Sequence, residues 1–334
     1  MAEFSFPFPL VCVDIGGTNA RFMAIVEPGG TPSDPLHLRT GDFAGLAEAT
    51  EFFVQKSGIS PRSLMVCGAG PVIDRALKLT NAAWVIDGPE VAKRLGLAQG
   101  LLLNDFEAQA LSLPILSKSW ARQIGPLDFG APGPQVILGP GTGLGIGALI
   151  NIGGKFTPVS SEACHIDFGP VTDEERAFWP LLEKVHGRIT TESVISGAGL
   201  ARVHAARMAA LGKRAQPLDA AGVVAAALAA PNGEEAESLR HYWLVVARFS
   251  GDMAITFVAE GGVTLAGGVL PRIVDFLDDT AFRAAFEAKA PVDKLARATP
   301  TRLLTRADSV LAGMAAIGAA PERYLIAYDK RRWC

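Results

Sequence analysis

Two short segments constrain the fold of this chain more than any other feature. Val13-Asp-Ile-Gly-Gly-Thr-Asn-Ala-Arg-Phe22 and Leu138-Gly-Pro-Gly-Thr-Gly-Leu-Gly-Ile-Gly147 share one pattern: an apolar strand, a glycine turn carrying a threonine, and a returning strand. Gly16 and Gly141 lie 125 residues apart, which is about one domain, so a duplicated hairpin, one per domain, explains the spacing. A tight turn can aim its backbone N–H groups into one space and form an anion-binding nest. Glycine reaches φ > 0 there and leaves no Cβ between the backbone and a phosphate. The threonine hydroxyl adds a donor, and Asp14, beside the first turn, can bind Mg²⁺ through water. For either turn alone, a plain hairpin is the competing reading.

The 334 residues suggest about two domains. With 49% hydrophobic and 19% charged residues, the chain can bury sizeable cores and does not have the composition of a disordered protein. The formal net charge of −3 lacks the basic excess of a nucleic-acid binder. Lys330-Arg331-Arg332 is expected to be a solvated tail. Cys12, Cys67, Cys164 and Cys334 form no CxxC pair, which suits reduced thiols in the cytoplasm. No basic segment opens the chain as in a signal peptide. Val136 to Gly154 is uncharged but holds seven glycines, a poor helix, so a buried hairpin is expected there in place of a membrane span.

Hydrophobic spacing lays out alternating strands and helices. Strands are expected at Leu10–Asp14, Ala20–Val26, Leu64–Cys67, Leu77–Thr80 and Leu101–Leu103, with helices at Phe43–Lys56, Pro89–Leu95 and Glu107–Leu113. A Gly/Pro-rich loop, Gly125 to Pro134, precedes strands at Val136–Leu138 and Leu144–Ile152 and marks a domain junction. Helices are then expected at Thr172–His186, Gly199–Leu211, Leu218–Ala229 and Glu234–Val258, a strand at Val263–Ala266, a helix from Pro271, and a last helix at Ser309–Ala319 capped by Asp308. Thr172 and Glu175 can form a capping box.

Two familiar phosphate motifs are absent. No G-x-x-x-x-G-K-[ST] occurs, so the chain is no P-loop protein. Gly143-x-Gly145-x-x-Ala148 loosely fits a dinucleotide fingerprint, but Leu144 to Ile152 alternates as a strand does and not as the required helix. Asn104-Asp105 ends a buried strand, where α/β sheets place ligand chemistry. Asp105 could accept a proton from an alcohol that Asn104 fixes, or could simply N-cap the next helix. Glu162 and His165 suit hydroxyl recognition on a polyol, with a metal site conceivable. Glu192 alone could equally be a solvated helix start.

Taken in order, Asp14–Arg21, Leu103-Asn-Asp-Phe106, Gly139–Gly145, Glu162-x-x-His165-x-Asp-Phe168 and Leu265-Ala-Gly-Gly-Val-Leu-Pro-Arg272 resemble bacterial glucokinases of the proteobacterial type, within the sugar kinase/heat-shock ATPase/actin superfamily. The resemblance runs from about residue 10 to 320. It implies an α/β fold of two ribonuclease-H-like (actin-like ATPase) domains around a hinged cleft. The small domain would be residues 1–115 plus 305–334 and the large one 116–304. It implies an enzyme, a homodimer, that transfers phosphate from ATP with Mg²⁺ to the 6-hydroxyl of glucose, giving glucose 6-phosphate and ADP; the composition adds the expectation of a cytoplasmic protein with no nucleic-acid or membrane partner. Asp105 would be the base. Asn104, Glu162, His165, Glu192 and Asn81 would bind sugar hydroxyls. Asp14, Ile15, Gly16, Gly17, Thr18 and Asn19, with Gly141, Thr142 and Gly143, would hold phosphates; Gly267 and Gly268 would lie at the adenosine, and Asp14 would hold Mg²⁺. Ala163 and Cys164 stand where the family usually has glycines, which bears on sugar preference. Alternatives are a same-fold kinase for another hexose or an amino sugar, and a non-enzymatic sugar sensor.

Overall fold

A computed structural model of the chain describes residues 5–80, 83–213, 217–306 and 308–333. The chain forms two compact units. One comprises Met1–Trp120, Leu149–Val159 and Arg306–Cys334; the other comprises Ala121–Ala148 and Ser160–Thr305.

The first unit is built on a six-stranded sheet with strand order Arg332–Trp333, Gln99–Asn104, Ser63–Gly68, Leu10–Ile15, Asn19–Ile25 and Leu36–Arg39. Leu10–Ile15, Ser63–Gly68 and Gln99–Asn104 run parallel to one another. They are almost continuously apolar and buried, the pattern of strands covered on both faces. The cover on one face is a cluster including Phe22, Phe53, Leu64, Leu77, Trp84, Ile86 and Trp333. The Gly88–Leu95 helix shows its punctuation plainly. Asp87 accepts from the Glu90 amide, Pro89 occupies the first turn, and Gly96 closes the helix with φ +66.

The last basic residues are no solvated tail. Arg332–Trp333 pairs antiparallel with Gln99–Asn104, Arg331 forms an ion pair with the buried Glu107, and Trp333 is fully buried. The Trp333 ring fills the space over Gly100, where a Cβ would sit 2.0 Å from it. Burial of that indole holds the segment on the sheet while Lys330 stays exposed, and a charge count cannot register it.

The second sheet has the order Lys155–Ser160, Leu144–Ile152, Gln135–Pro140, Gly262–Leu265, Thr301–Leu304 and Ala121–Ile124. Its central strands Gln135–Pro140, Gly262–Leu265 and Thr301–Leu304 are parallel. Ala121–Ile124, an edge strand with a polar middle, pairs antiparallel with Thr301–Leu304, so the chain enters the second unit before the Gly125–Pro134 loop. The longest helix, Glu234–Phe257, buries Tyr242, Trp243, Val246 and Phe249. One helix is shorter than expected. Thr172 and Glu175 do form a capping box, but the α-helix ends at Phe178 and passes into a 3-10 turn, Trp179–Leu181. Pro180 has no N–H to continue the α-helical ladder. At Leu270–Phe276, likewise, the expected helix is a 3-10 segment, with Ile273 off helical geometry. No described helix is long and apolar enough to cross a membrane.

Replacing Trp333 by Ala should destabilise the first unit by about 3–5 kcal/mol, the usual cost of deleting a buried aromatic ring. Urea unfolding followed by circular dichroism measures this; an unchanged midpoint would show the strand to be dispensable.

Candidate active site

Strand register brings the first unit's candidate site residues to one sheet edge. Ile15 aligns with Gly68, and Gly68 with Asn104, across the parallel strands. The Gly16–Thr18 turn after one strand and Asp105 after another therefore leave the sheet at the same level, at the carboxyl ends where α/β sheets bind ligands. Asp14 sits one residue back, opposite Arg21 on one side and Cys67 on the other. Cross-strand neighbours share a face, so the Arg21 guanidinium clasps the Asp14 carboxylate and the Cys67 thiol donates to it at 3.4 Å. Arg21 also reaches Asp308 at 3.8 Å. Asp308 stands at the N-cap of the Ser309–Ala319 helix but makes no side-chain cap; its carboxylate faces the guanidinium.

The cap of the helix after the Gln99–Asn104 strand is Asn104, not Asp105. The Asn104 Oδ1 accepts from the amides of Phe106 at 3.0 Å and Glu107 at 3.2 Å, and Glu107 reaches back to the Asn104 amide. The Asn104 Nδ2 donates to the Gly70 carbonyl at 3.2 Å. That arrangement leaves Asp105, the first helical residue, free of capping duty. Burial raises its carboxyl to about 6, opposed by the Phe106 amide and reinforced by the nearby charge of Asp14. The same two carboxylates, after burial, push the Cys67 thiol well up.

In the second unit, the turn Gly141–Gly143 joins strands Gln135–Pro140 and Leu144–Ile152. Its Gly141 amide donates to the Gly143 carbonyl at 2.7 Å, and its Gly141 carbonyl accepts from the Gly197 amide at 2.9 Å. The amides of Thr142 and Gly143 have no partner among the described residues, nor do those of Gly17 and Thr18 in the first unit. Both turns thus present free N–H groups, as an anion nest requires. Gly267 lies against the turn: it has φ +83, and a Cβ there would meet the Pro140 carbonyl at 2.4 Å.

The Glu192 Oε2 accepts from the Leu144 amide at 2.9 Å. A Cβ on Gly143 would stand 2.4 Å from that carboxylate, so the glycine makes room for the glutamate. Glu192 is therefore bound to the turn and is not a solvated helix start. Glu162 precedes a 3-10 turn, Ala163–His165, whose last residue is His165, with the His165 Nε2 3.8 Å from the Glu162 Oε2. Backbone bonds from Phe168 to Ile189 and from Thr191 to Ile166 lace this segment to the one bearing Glu192. Between them, the buried Cys164 thiol is pushed up to about 12, by burial first and then by the charges of Glu192 and Glu162.

A cavity of about 980 Å³ opens beside the same turn, lined by Gly141, Thr142 and Gly268, by Ala201 and Ala205 on one face of the Gly197–Ala210 helix, and by Arg272. The alanines, four apart, offer a flat apolar wall, and the helix begins next to Gly141. The sequence marks the glycines of this cavity but not its alanine wall, because small residues on a helix carry no chemical signature. Arg21 stands inside the first motif but is not among the site residues expected from it; its place opposite Asp14 across a two-strand hairpin is a readable signal. Asn81 lies outside the described residues.

The family model for glucokinase matches residues 11–320. A glucokinase of Rhizobium meliloti is 40% identical over 336 residues, covering 99% of this chain and 98% of the relative. Among solved structures, a glucokinase from an Antarctic psychrotroph superposes with a TM-score of 0.83 at 29% identity, covering 94% of this chain and 98% of that one. A ROK family glucokinase from Streptomyces griseus, in complex with glucose and AMPPNP, gives a TM-score of 0.62 at 20% identity over 92% and 98% of the two chains, a likeness of fold. The fold is thus that of the two-domain α/β sugar kinases of the actin-like ATPase type. By sequence, the chain belongs to the glucokinase family.

Because burial raises Asp105, its ionised form costs the fold stability at neutral pH. Asp105→Asn should raise the unfolding free energy by about 1–2 kcal/mol at pH 8, the gain shrinking below pH 6 and vanishing below pH 4. Urea titrations at pH 8 and below pH 4 check this; an equal effect at both would refute the raised carboxyl.

Proposed function

We propose that this protein phosphorylates D-glucose at its 6-hydroxyl with ATP, giving glucose 6-phosphate and ADP, with Asp105 as general base. One observation carries the assignment of the base: a carboxylate freed from capping by Asn104 and raised to about 6. It is mostly ionised at pH 7 and basic enough to take a hydroxyl proton as the alcohol attacks. The sugar O–H bond breaks toward Asp105, the new P–O bond forms at the γ-phosphorus, and ADP leaves with the bridging oxygen. Phosphoryl transfer asks a protein mainly for position and neutralised charge. The free amides of Gly17–Thr18 in the first unit, and separately those of Thr142–Gly143 in the second, each suit a phosphate group, and the 980 Å³ cavity of the second unit, with its alanine wall, suits an adenosine.

Glu192, Glu162 and His165 are read as the hydroxyl ligands of the sugar. Carboxylate acceptors and an imidazole match a polyol's array of O–H groups, and Glu192 keeps one oxygen beyond its bond to Leu144. Asn104 keeps one amide hydrogen after its bond to Gly70. The all-oxygen donors of Asp14 fit Mg²⁺. Arg21 and Cys67 already occupy part of that carboxylate, so its remaining lone pairs suit a metal-bound water better than the metal itself. Mg²⁺ bound there with ATP would neutralise phosphate charge. We further read the enzyme as a cytoplasmic homodimer, in line with the sequence resemblance and the unpaired thiols of Cys12, Cys67 and Cys164.

ADP release assayed over a panel of hexoses, with and without Mg²⁺, tests the function; turnover of another sugar in preference to glucose would overturn it. Asp105→Asn should lower kcat by about 10²–10⁴-fold while glucose binding, read by calorimetry, stays near wild type. Near-normal turnover would remove Asp105 from its role. Glu192→Gln should raise the glucose KM by about tenfold, since a charge-assisted hydrogen bond is weakened.

A further inference from the structure

We propose that Glu162, Cys164 and His165 form a binding site for a soft divalent cation such as Zn²⁺, and that the cation and the sugar exclude one another. The exclusion rests on the reading of Glu162 and His165 as hydroxyl ligands; the metal site itself does not. One ligand atom from each of the three side chains lies within 4.8 Å of the other two. The Cys164 Sγ and the His165 Nε2 are each 3.8 Å from the Glu162 Oε2.

Around tetrahedral Zn²⁺, with bonds of about 2.0–2.3 Å, neighbouring ligand atoms stand roughly 3.4–3.7 Å apart. The present triangle therefore needs to contract by no more than about an ångström. The freedom to do so lies in the right places: side chains Glu162 and His165 are 88% and 57% exposed, while Cys164 is buried and fixed. The positions i, i+2 and i+3 of the 3-10 turn supply all three donors, so no distant segment has to move.

The donor set decides which metal. A thiolate, an imidazole and one carboxylate suit Zn²⁺, whereas Mg²⁺ requires octahedral oxygen ligands. The two metals thus sort themselves, Mg²⁺ to ATP and Asp14, Zn²⁺ to this turn. On binding, the Cys164 S–H bond breaks, its proton passes to solvent, and a sulfur–metal bond forms; nothing is oxidised or reduced. Glu192, whose charge is felt by the Cys164 thiol, makes the surroundings more favourable to a cation. Three protein ligands leave a fourth position for water. Cys164 has no part in the proposed phosphoryl transfer, so its removal separates the two activities.

Co²⁺ titration of the whole protein, followed by absorption, is the test. The expected result is a thiolate-to-cobalt charge-transfer band that Zn²⁺ displaces, that Cys164→Ala and Cys164→Ser abolish, and that saturating glucose removes. In the kinase assay, Zn²⁺ at ten times its Kd should raise the glucose KM about tenfold at constant Mg·ATP, and should leave Cys164→Ala unaffected. No band, or a band that persists in both Cys164 variants, overturns the metal site and leaves the hydroxyl reading standing. A band that survives saturating glucose overturns the exclusion, and with it the contacts of Glu162 and His165 to sugar.

Discussion

The clasp between Asp14 and Arg21 is the interaction on which the first unit's chemistry depends. A carboxylate at the end of a buried strand is costly unless paired, and here the pair is fixed by strand register, not by flexible side chains. Arg21 sets a positive charge against Asp14, which lies near a second carboxylate. The Asp14 charge in turn helps to raise Asp105, after burial. Without the guanidinium, two acids and a thiol would share one sheet edge with no counter-charge. With it, the Asp14 carboxylate is engaged by a guanidinium, while Asp105, raised by burial, makes no ion pair with it.

The second unit solves a different problem, that of bringing backbone close to a ligand. Its turn is crowded by other backbone. Gly141 is bonded to Gly197, Gly267 touches Pro140, and Glu192 fills the room left by Gly143. A Cβ on Gly143 or Gly267 would collide with these neighbours, and the Thr142 and Gly143 amides have no partner among the described residues. Glycine enrichment in this chain is therefore a matter of space as much as of φ. Only Gly267 among these has a positive φ.

Much of this was legible in the sequence, and the failures share a cause. The Leu144–Ile152 strand and the Ser309–Ala319 helix have the expected bounds, because alternation and helical spacing are local signals. Both glycine turns fall where the repeated pattern put them. The edge strand Ala121–Ile124 was invisible, since its stability comes from pairing with residues 301–304. Asp308 gave a sound helix start but no hint of its ion pair with Arg21, far away in sequence. The asparagine cap before Asp105 could have been read directly: Asn104 and Glu107 have capping-box spacing. The role of Lys330–Trp333 could not, because a lone tryptophan beside three cations does not name the surface it will cover.

That terminal strand has a consequence for how the chain is made. Residues 306–333 belong to the first unit but are synthesised after all of the second. On the ribosome, every strand of the second sheet is synthesised while the first unit still lacks the helix Ser309–Ala319 and the indole of Trp333 that fills the space over Gly100. Vectorial synthesis ordinarily favours the amino-terminal domain; this topology reverses the order, and the part of the molecule begun first is finished last.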